Sequence, residues 1–104
     1  MGKIGIKEEL LQKTEQEYEI DEPPLFKVIL HNDDYTTMEF VVQVLMEIFH
    51  KSIEEATDIM LRIHHENSCI CGVYPKEIAE TKVEMVHTKA KAKDFPLLAN
   101  YEKA

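Results

Sequence analysis

Tryptophan is absent from these 104 residues; cysteine appears twice, glycine three times and proline four times. With so little glycine there is no Gly-rich loop of the kind that cradles phosphate, because such loops need several Cβ-free positions close together. The two cysteines, Cys69 and Cys71, stand one residue apart. That spacing closes no useful loop and reads as free thiols rather than a structural disulfide. No apolar run approaches the roughly 20 residues that a membrane-spanning helix requires. Basic residues are also scarce. Twelve Lys plus Arg face 20 Asp plus Glu, a net charge of −8 with a pI near 5.0, which argues against a phosphate backbone as partner.

What is present suits one soluble globular domain. Hydrophobic residues make up 44% of the chain and charged residues 31%, too apolar for a wholly disordered polymer and too short for two cores. The charge is uneven. Residues 1–22 hold seven acids and three lysines, net −4, while the other 82 residues carry the same net charge. This first segment is therefore expected to be a flexible acidic extension and residues 23–104 the core domain. Met1 to Lys7 lacks a long apolar stretch and runs into Glu8 and Glu9; no signal peptide is visible, and a cytoplasmic protein is the expectation.

Pro23-Pro24 marks the boundary, and Leu25 to His31 reads as a strand. Asn32-Asp33-Asp34-Tyr35 is turn chemistry, followed by a capping box with Thr36 as N-cap and Glu39 reaching back, and with Tyr35 and Phe40 placed for a hydrophobic staple. Apolar residues at helical spacing predict an amphipathic helix over 37–50. A second capping box, Ser52 to Glu55, opens a helix carrying Ile53, Ala56, Ile59, Met60 and Ile63 on one face and fading at His64-His65. Residues 68–74 read as a strand with Cys69, Cys71 and Val73 on one face. Residues 76–92 make a third helix and 97–101 a last strand. The order β-α-α-β-α-β predicts an α+β two-layer domain: a small sheet packed on three helices.

Catalysis has little to work with. Only Ser52 and Ser68 could be serine nucleophiles, no G-x-S-x-G or H-E-x-x-H occurs, and Cys71 with His64 or His65 is the least poor thiol pair. His64, His65, Cys69 and Cys71 also lie close enough in sequence to suggest a metal site, but a C-x-C strand suits buried thiols better than a zinc knuckle. No enzyme activity, cofactor or metal is expected. The polar run His31-Asn32-Asp33-Asp34 is more informative: besides capping a helix, it supplies the acceptors and negative potential that a ligand ammonium needs. His64 adds a ring-nitrogen acceptor when neutral, and Met38, Val41, Met60 and Ile63 offer adaptable apolar walls near the same end of the two helices.

The run Asn32-Asp33-Asp34-Tyr35-Thr36-Thr37-Met38-Glu39-Phe40-Val41 resembles the ClpS adaptors, which select substrates for a Clp protease by their N-terminal residue. The likeness continues through Ala56 to His64, Cys71-Gly72-Val73-Tyr74, Ala79-Glu80-Thr81-Lys82-Val83 and Pro96-Leu97-Leu98, in family order. The resemblance implies that Asn32, Asp33 and His64 hold the free α-amino group of a substrate. Asp34, Thr36, Met38, Val41, Met60, Ile63 and Leu97 would line the pocket for its first side chain, with Met38 as a gate against β-branched residues. Glu77 and Lys82 would dock on the N-terminal domain of a ClpA-type AAA+ unfoldase, which would engage residues 1–22 during handover. The implied partners are N-degron proteins beginning with Leu, Phe, Tyr or Trp and the unfoldase, with no nucleic acid or membrane, and the adaptor is expected to be a monomer. The other reading is an unfoldase modulator without N-terminal specificity. Two positions depart from the family: Thr37 stands where Pro is usual, and His65 where an aromatic residue is common.

Overall fold

The computed structural model describes residues 23–104, so the expected acidic extension at 1–22 lies outside the described residues. Three strands and three helices follow in the order β1 (Leu25–His31), α1 (Met38–Glu47), α2 (Ile53–Glu66), β2 (Ser68–Pro75), α3 (Lys76–Ala92) and β3 (Leu98–Lys103). The strands form one antiparallel sheet in the order β2-β1-β3. β1 takes the centre because it is the most apolar: Val28 and Leu30 are fully buried, and both neighbours pair along it. The core contains Val28, Leu30, Val44, Leu45, Ala56, Ile63, Ala79, Val86 and Ala99, contributed by the inner sheet face and one stripe of each helix. The α+β two-layer expectation therefore holds.

The second strand departs from simple alternation. Val28 pairs with Gly72 but Ile29 pairs with Ile70, so Cys71 is an extra residue opposite the central strand, a β-bulge. Cys69 faces inward beside Leu30, Cys71 is buried at 1% exposure, and the bulge then reverses the phase and leaves Val73 outside at 47% exposure. The expected face of Cys69, Cys71 and Val73 is thus broken between Cys71 and Val73. The Tyr74 ring lies over Gly72, where a Cβ would collide with its hydroxyl oxygen and outer ring carbons and force the side chain aside.

The start of α1 is also shifted from expectation. Thr37, not Thr36, is the N-cap of α1; its φ is −70° and ψ 150°, and its Oγ1 accepts the Phe40 N–H at 3.1 Å. Thr36 lies instead within the Asp33 turn, its hydroxyl donating to Asp33 Oδ2 at 2.7 Å. Tyr35 is 78% exposed, so no staple against buried Phe40 forms. Ser52 caps α2 as expected, accepting the Glu55 N–H at 3.1 Å. Helix α1 ends at Glu47, three residues short of its expected limit, and His50 takes a positive φ of 55° where the chain turns toward α2.

Candidate functional site

The short 48–52 connection folds α1 and α2 back on each other, bringing the start of α1 and the end of α2 to the same edge as the end of β1. A cavity of about 420 Å³ opens there. Its mouth carries Asn32, Asp33, Asp34 and His64, and its apolar wall is Met38 and Val41 from α1 with Met60 and Ile63 from α2. The helical spacing explains the wall: residues three or four apart share a face, so Met38 pairs with Val41 and Met60 with Ile63 and His64. Val41 and Ile63 are buried at 6% and 2% exposure, whereas Met38 stands at the rim, 47% exposed.

The loop that bears the polar groups organises itself. Asp33 Oδ1 accepts the backbone N–H of Tyr35 at 2.8 Å and of Thr36 at 2.6 Å, while Oδ2 takes the Thr36 hydroxyl. This Asx turn uses three of the carboxylate's roughly four acceptor sites. Partial burial pushes the Asp33 carboxyl upward, but the backbone and hydroxyl hydrogen bonds from Thr36 and the backbone bond from Tyr35 outweigh it and hold it below its ordinary 3.8. Asp33 is therefore a charged loop organiser at neutral pH. The last turn of α2, which brings His64 to the cavity, is the negative end of its helix dipole. The positive end of α1 also lies here, and the charges of Asp33 and Asp34 oppose it. The arrangement favours a small cation at the mouth with an apolar group attached below it.

Of the residues expected at the site, Asn32, Asp33, Asp34, Thr36, Met38, Val41, Met60, Ile63 and His64 are brought together around this cavity. Leu97 is not among them. At 3% exposure it belongs to the core cluster, as the cavity-lining Val41 and Ile63 also do. Tyr35 and Thr37 line the cavity instead. They lie inside the same motif, so contiguity with Asp34 and Met38 was the available signal.

Glu77 and Lys82 lie elsewhere, on α3. Five residues apart on a helix, they point about 140° from each other. Glu77 is exposed in the first turn beside a shallow groove that includes Pro23, Phe26 and Ile78. Lys82 is half-buried: its ammonium donates to the Ile48 carbonyl at 2.5 Å and lies 5.6 Å from the centre of the Tyr74 ring. It satisfies a carbonyl at the end of α1 that no helical N–H reaches.

Thiol and metal chemistry find no support in the geometry. Burial, with a smaller contribution from Cys69, pushes the Cys71 thiol up to about 12, so almost none of it is thiolate at neutral pH. Among the described residues, no group of three His, Cys, Asp or Glu side chains is close enough to hold a metal ion. None of the described helices is long and apolar enough to cross a membrane.

Residues 21–100 match the family model described as ATP-dependent Clp protease adaptor protein ClpS. This chain belongs to the ClpS family. Among curated relatives, the ATP-dependent Clp protease adapter protein ClpS of Shewanella loihica is 51% identical over 104 residues, covering the whole of both chains. That of Desulforapulum autotrophicum is 53% identical over 94 residues, covering 88% of this chain and 90% of its own. The solved structure of Agrobacterium tumefaciens ClpS2 bound to L-phenylalaninamide superposes with a TM-score of 0.77 at 37% identity, over 80% of this chain and all of that one. These relatives are named as adaptors, not enzymes. The fold and the family expected from the motifs are thereby established.

Proposed function

We propose that this ClpS protein binds the free N-terminus of proteins that begin with Leu, Phe, Tyr or Trp and delivers them to a ClpA-type AAA+ unfoldase and its protease. The supporting observation is the cavity whose acceptor-rich mouth and apolar wall match an α-amino group bonded to a large apolar side chain. Asn32 and His64 accept from the ammonium, while Asp33 supplies charge and keeps one acceptor site free for it, directly or through water. Asp34, Thr36, Met38, Val41, Met60 and Ile63 surround the first side chain, and Tyr35 and Thr37 complete the lining. The relative that binds L-phenylalaninamide supports the same ligand chemistry, since that molecule combines a free amine with a phenyl ring.

The energetics suit a carrier. A free terminus has a pKa of about 7.7–8.0, so most are ammonium at neutral pH, and acetylation removes both the charge and the donors. Charge-assisted hydrogen bonds contribute about 1.5–3 kcal/mol each and burial of a Leu or Phe side chain about 1.5–3 kcal/mol. Two or three such bonds with the burial sum to about 4.5–12 kcal/mol, so after an association cost of about 4 kcal/mol or more the net reaches at most about −8 kcal/mol, micromolar or weaker. Glu77 is the accessible half of the docking pair. Lys82 reaches the unfoldase only by leaving Ile48. Action as a monomer in the cytoplasm and engagement of residues 1–22 by the unfoldase complete the reading.

Fluorescence anisotropy of labelled peptides identical except for a first residue of Phe, Leu, Ala or acetyl-Phe tests it. Binding confined to free Phe and Leu is expected. Equal binding of all four, or of none, overturns it.

A further inference from the structure

The last rung of the central ladder lies beyond the strands themselves. His31 pairs with Ser68 at the end of β1, and one residue further the Asn32 N–H donates to the Asn67 carbonyl at 2.7 Å. Asn67 is the C-cap of α2, in the left-handed region with φ 72° and ψ −19°. This conformation reverses the chain from helix to strand within one residue, and it aims the Asn67 carbonyl at the backbone of Asn32. His64 stands three residues before Asn67, in the last turn of the same helix. The opposite edge of β1 is held as well, by the hydrogen bond between His31 and Asn100 of β3.

We infer that Asn67 is a positioning residue for substrate recognition: its left-handed backbone fixes Asn32 at the distance from His64 that lets both accept from one ammonium. The inference rests on the proposed reading of the cavity. Two site residues come from segments 32 positions apart, and this backbone hydrogen bond is their direct tie. A terminal amine is small, and two acceptors serve it only when their spacing is held to within a fraction of an ångström. Asn and Gly enter the left-handed region readily, Ala less so, and β-branched Val hardly at all. The ranking Gly ≈ Asn > Ala > Val at position 67 should therefore appear in recognition of the amine.

The experiment measures Asn67→Gly, Asn67→Ala and Asn67→Val for binding of the free Phe peptide by anisotropy and for exchange of the Asn32 amide by NMR, with thermal melts to identify the folded variants. The expected result is that Asn67→Gly binds within about twofold of the parent, whereas Asn67→Ala binds roughly 3- to 10-fold and Asn67→Val roughly 10- to 50-fold more weakly, in step with faster Asn32 exchange. Asn67→Ala keeps the test decisive if Asn67→Val does not fold. If folded Asn67→Ala binds as the parent does, or if it loses affinity while Asn32 exchange is unchanged, the inference is overturned. A parent protein that ignores the free amine instead overturns the proposed function, a result seen before any variant is compared.

Discussion

The Asp33 carboxylate has two separable roles: it organises the 33–36 turn with three accepted hydrogen bonds, and it places a negative charge on the cavity lining. Asp33→Asn removes the charge but preserves most of the turn. The amide oxygen can keep both backbone N–H donors, and the amide NH2 can donate to Thr36 Oγ1 once that hydroxyl rotates away. Two unit charges about 4 Å apart attract by about 4 kcal/mol at an effective dielectric of 20. Asp33 is only partly buried, and solvent screening reduces this to about 1–2 kcal/mol, a loss of roughly 5- to 30-fold in affinity. Asp33→Ala removes the acceptors as well, and by analogy with a lost helix cap destabilises the fold by a further ~0.5–2 kcal/mol.

Anisotropy with the free Phe peptide at 0.1 M and 1 M salt, together with urea denaturation of the three proteins, separates the roles. The gap between parent and Asp33→Asn should shrink at high salt, where the Debye length falls from about 10 Å to about 3 Å. Equal affinity of parent and Asp33→Asn at 0.1 M salt refutes the role of the charge; an Asp33→Ala protein as stable as Asp33→Asn refutes the role of the turn. The pH dependence has a definite sign. Because the folded carboxyl lies below 3.8, the stability from this group is present above the unfolded value and is lost as pH falls through the folded one. Acid melts of Asp33→Asn should accordingly lack this part of the parent's loss below about pH 4.

Other consequences are checked more simply. Cys71, buried and with its thiol pushed up to about 12, should resist iodoacetamide at pH 8 in the native state and react only on unfolding; mass spectrometry showing native labelling at Cys71 would contradict this. Thr37→Ala should lower stability by about 0.5–2 kcal/mol through loss of the α1 cap, read from the urea midpoint. Ile63→Ala leaves a cavity behind the apolar wall and should cost about 2–5 kcal/mol as well as weakening the Phe peptide. Lys82→Ala frees the Ile48 carbonyl and the Tyr74 ring, and a drop of about 1–3 kcal/mol in unfolding free energy is expected. An unchanged midpoint would mean that Lys82 is no structural tie, leaving unfoldase contact as its role.

Half of the candidate site was legible because it builds itself from neighbours. In Asn32 to Thr37 the decisive hydrogen bonds span two or three residues, so residue type and order foretell a turn feeding a helix N-terminus. Even there, the capping box placed the N-cap at Thr36, one residue before the Thr37 that caps the helix. Thr36 is drawn into the Asp33 turn by its hydroxyl and its backbone N–H, and the Phe40 N–H goes to Thr37. Periodicity located the helices for a similar reason, as every third or fourth residue reports on one face. It could not foresee the bulge at Cys71, since an extra residue is defined only against the strand opposite, and one such residue reversed Val73. Lys82 and Leu97 make the same point across longer distances. The partner of Lys82 is 34 residues away, and Leu97, expected at the cavity from the likeness, is buried in the core cluster at 3% exposure. Contacts between elements follow from where the chain ends one element and starts another. That is why the backbone join of Asn32 to Asn67, invisible in composition or spacing, is the feature of the site most dependent on the whole fold.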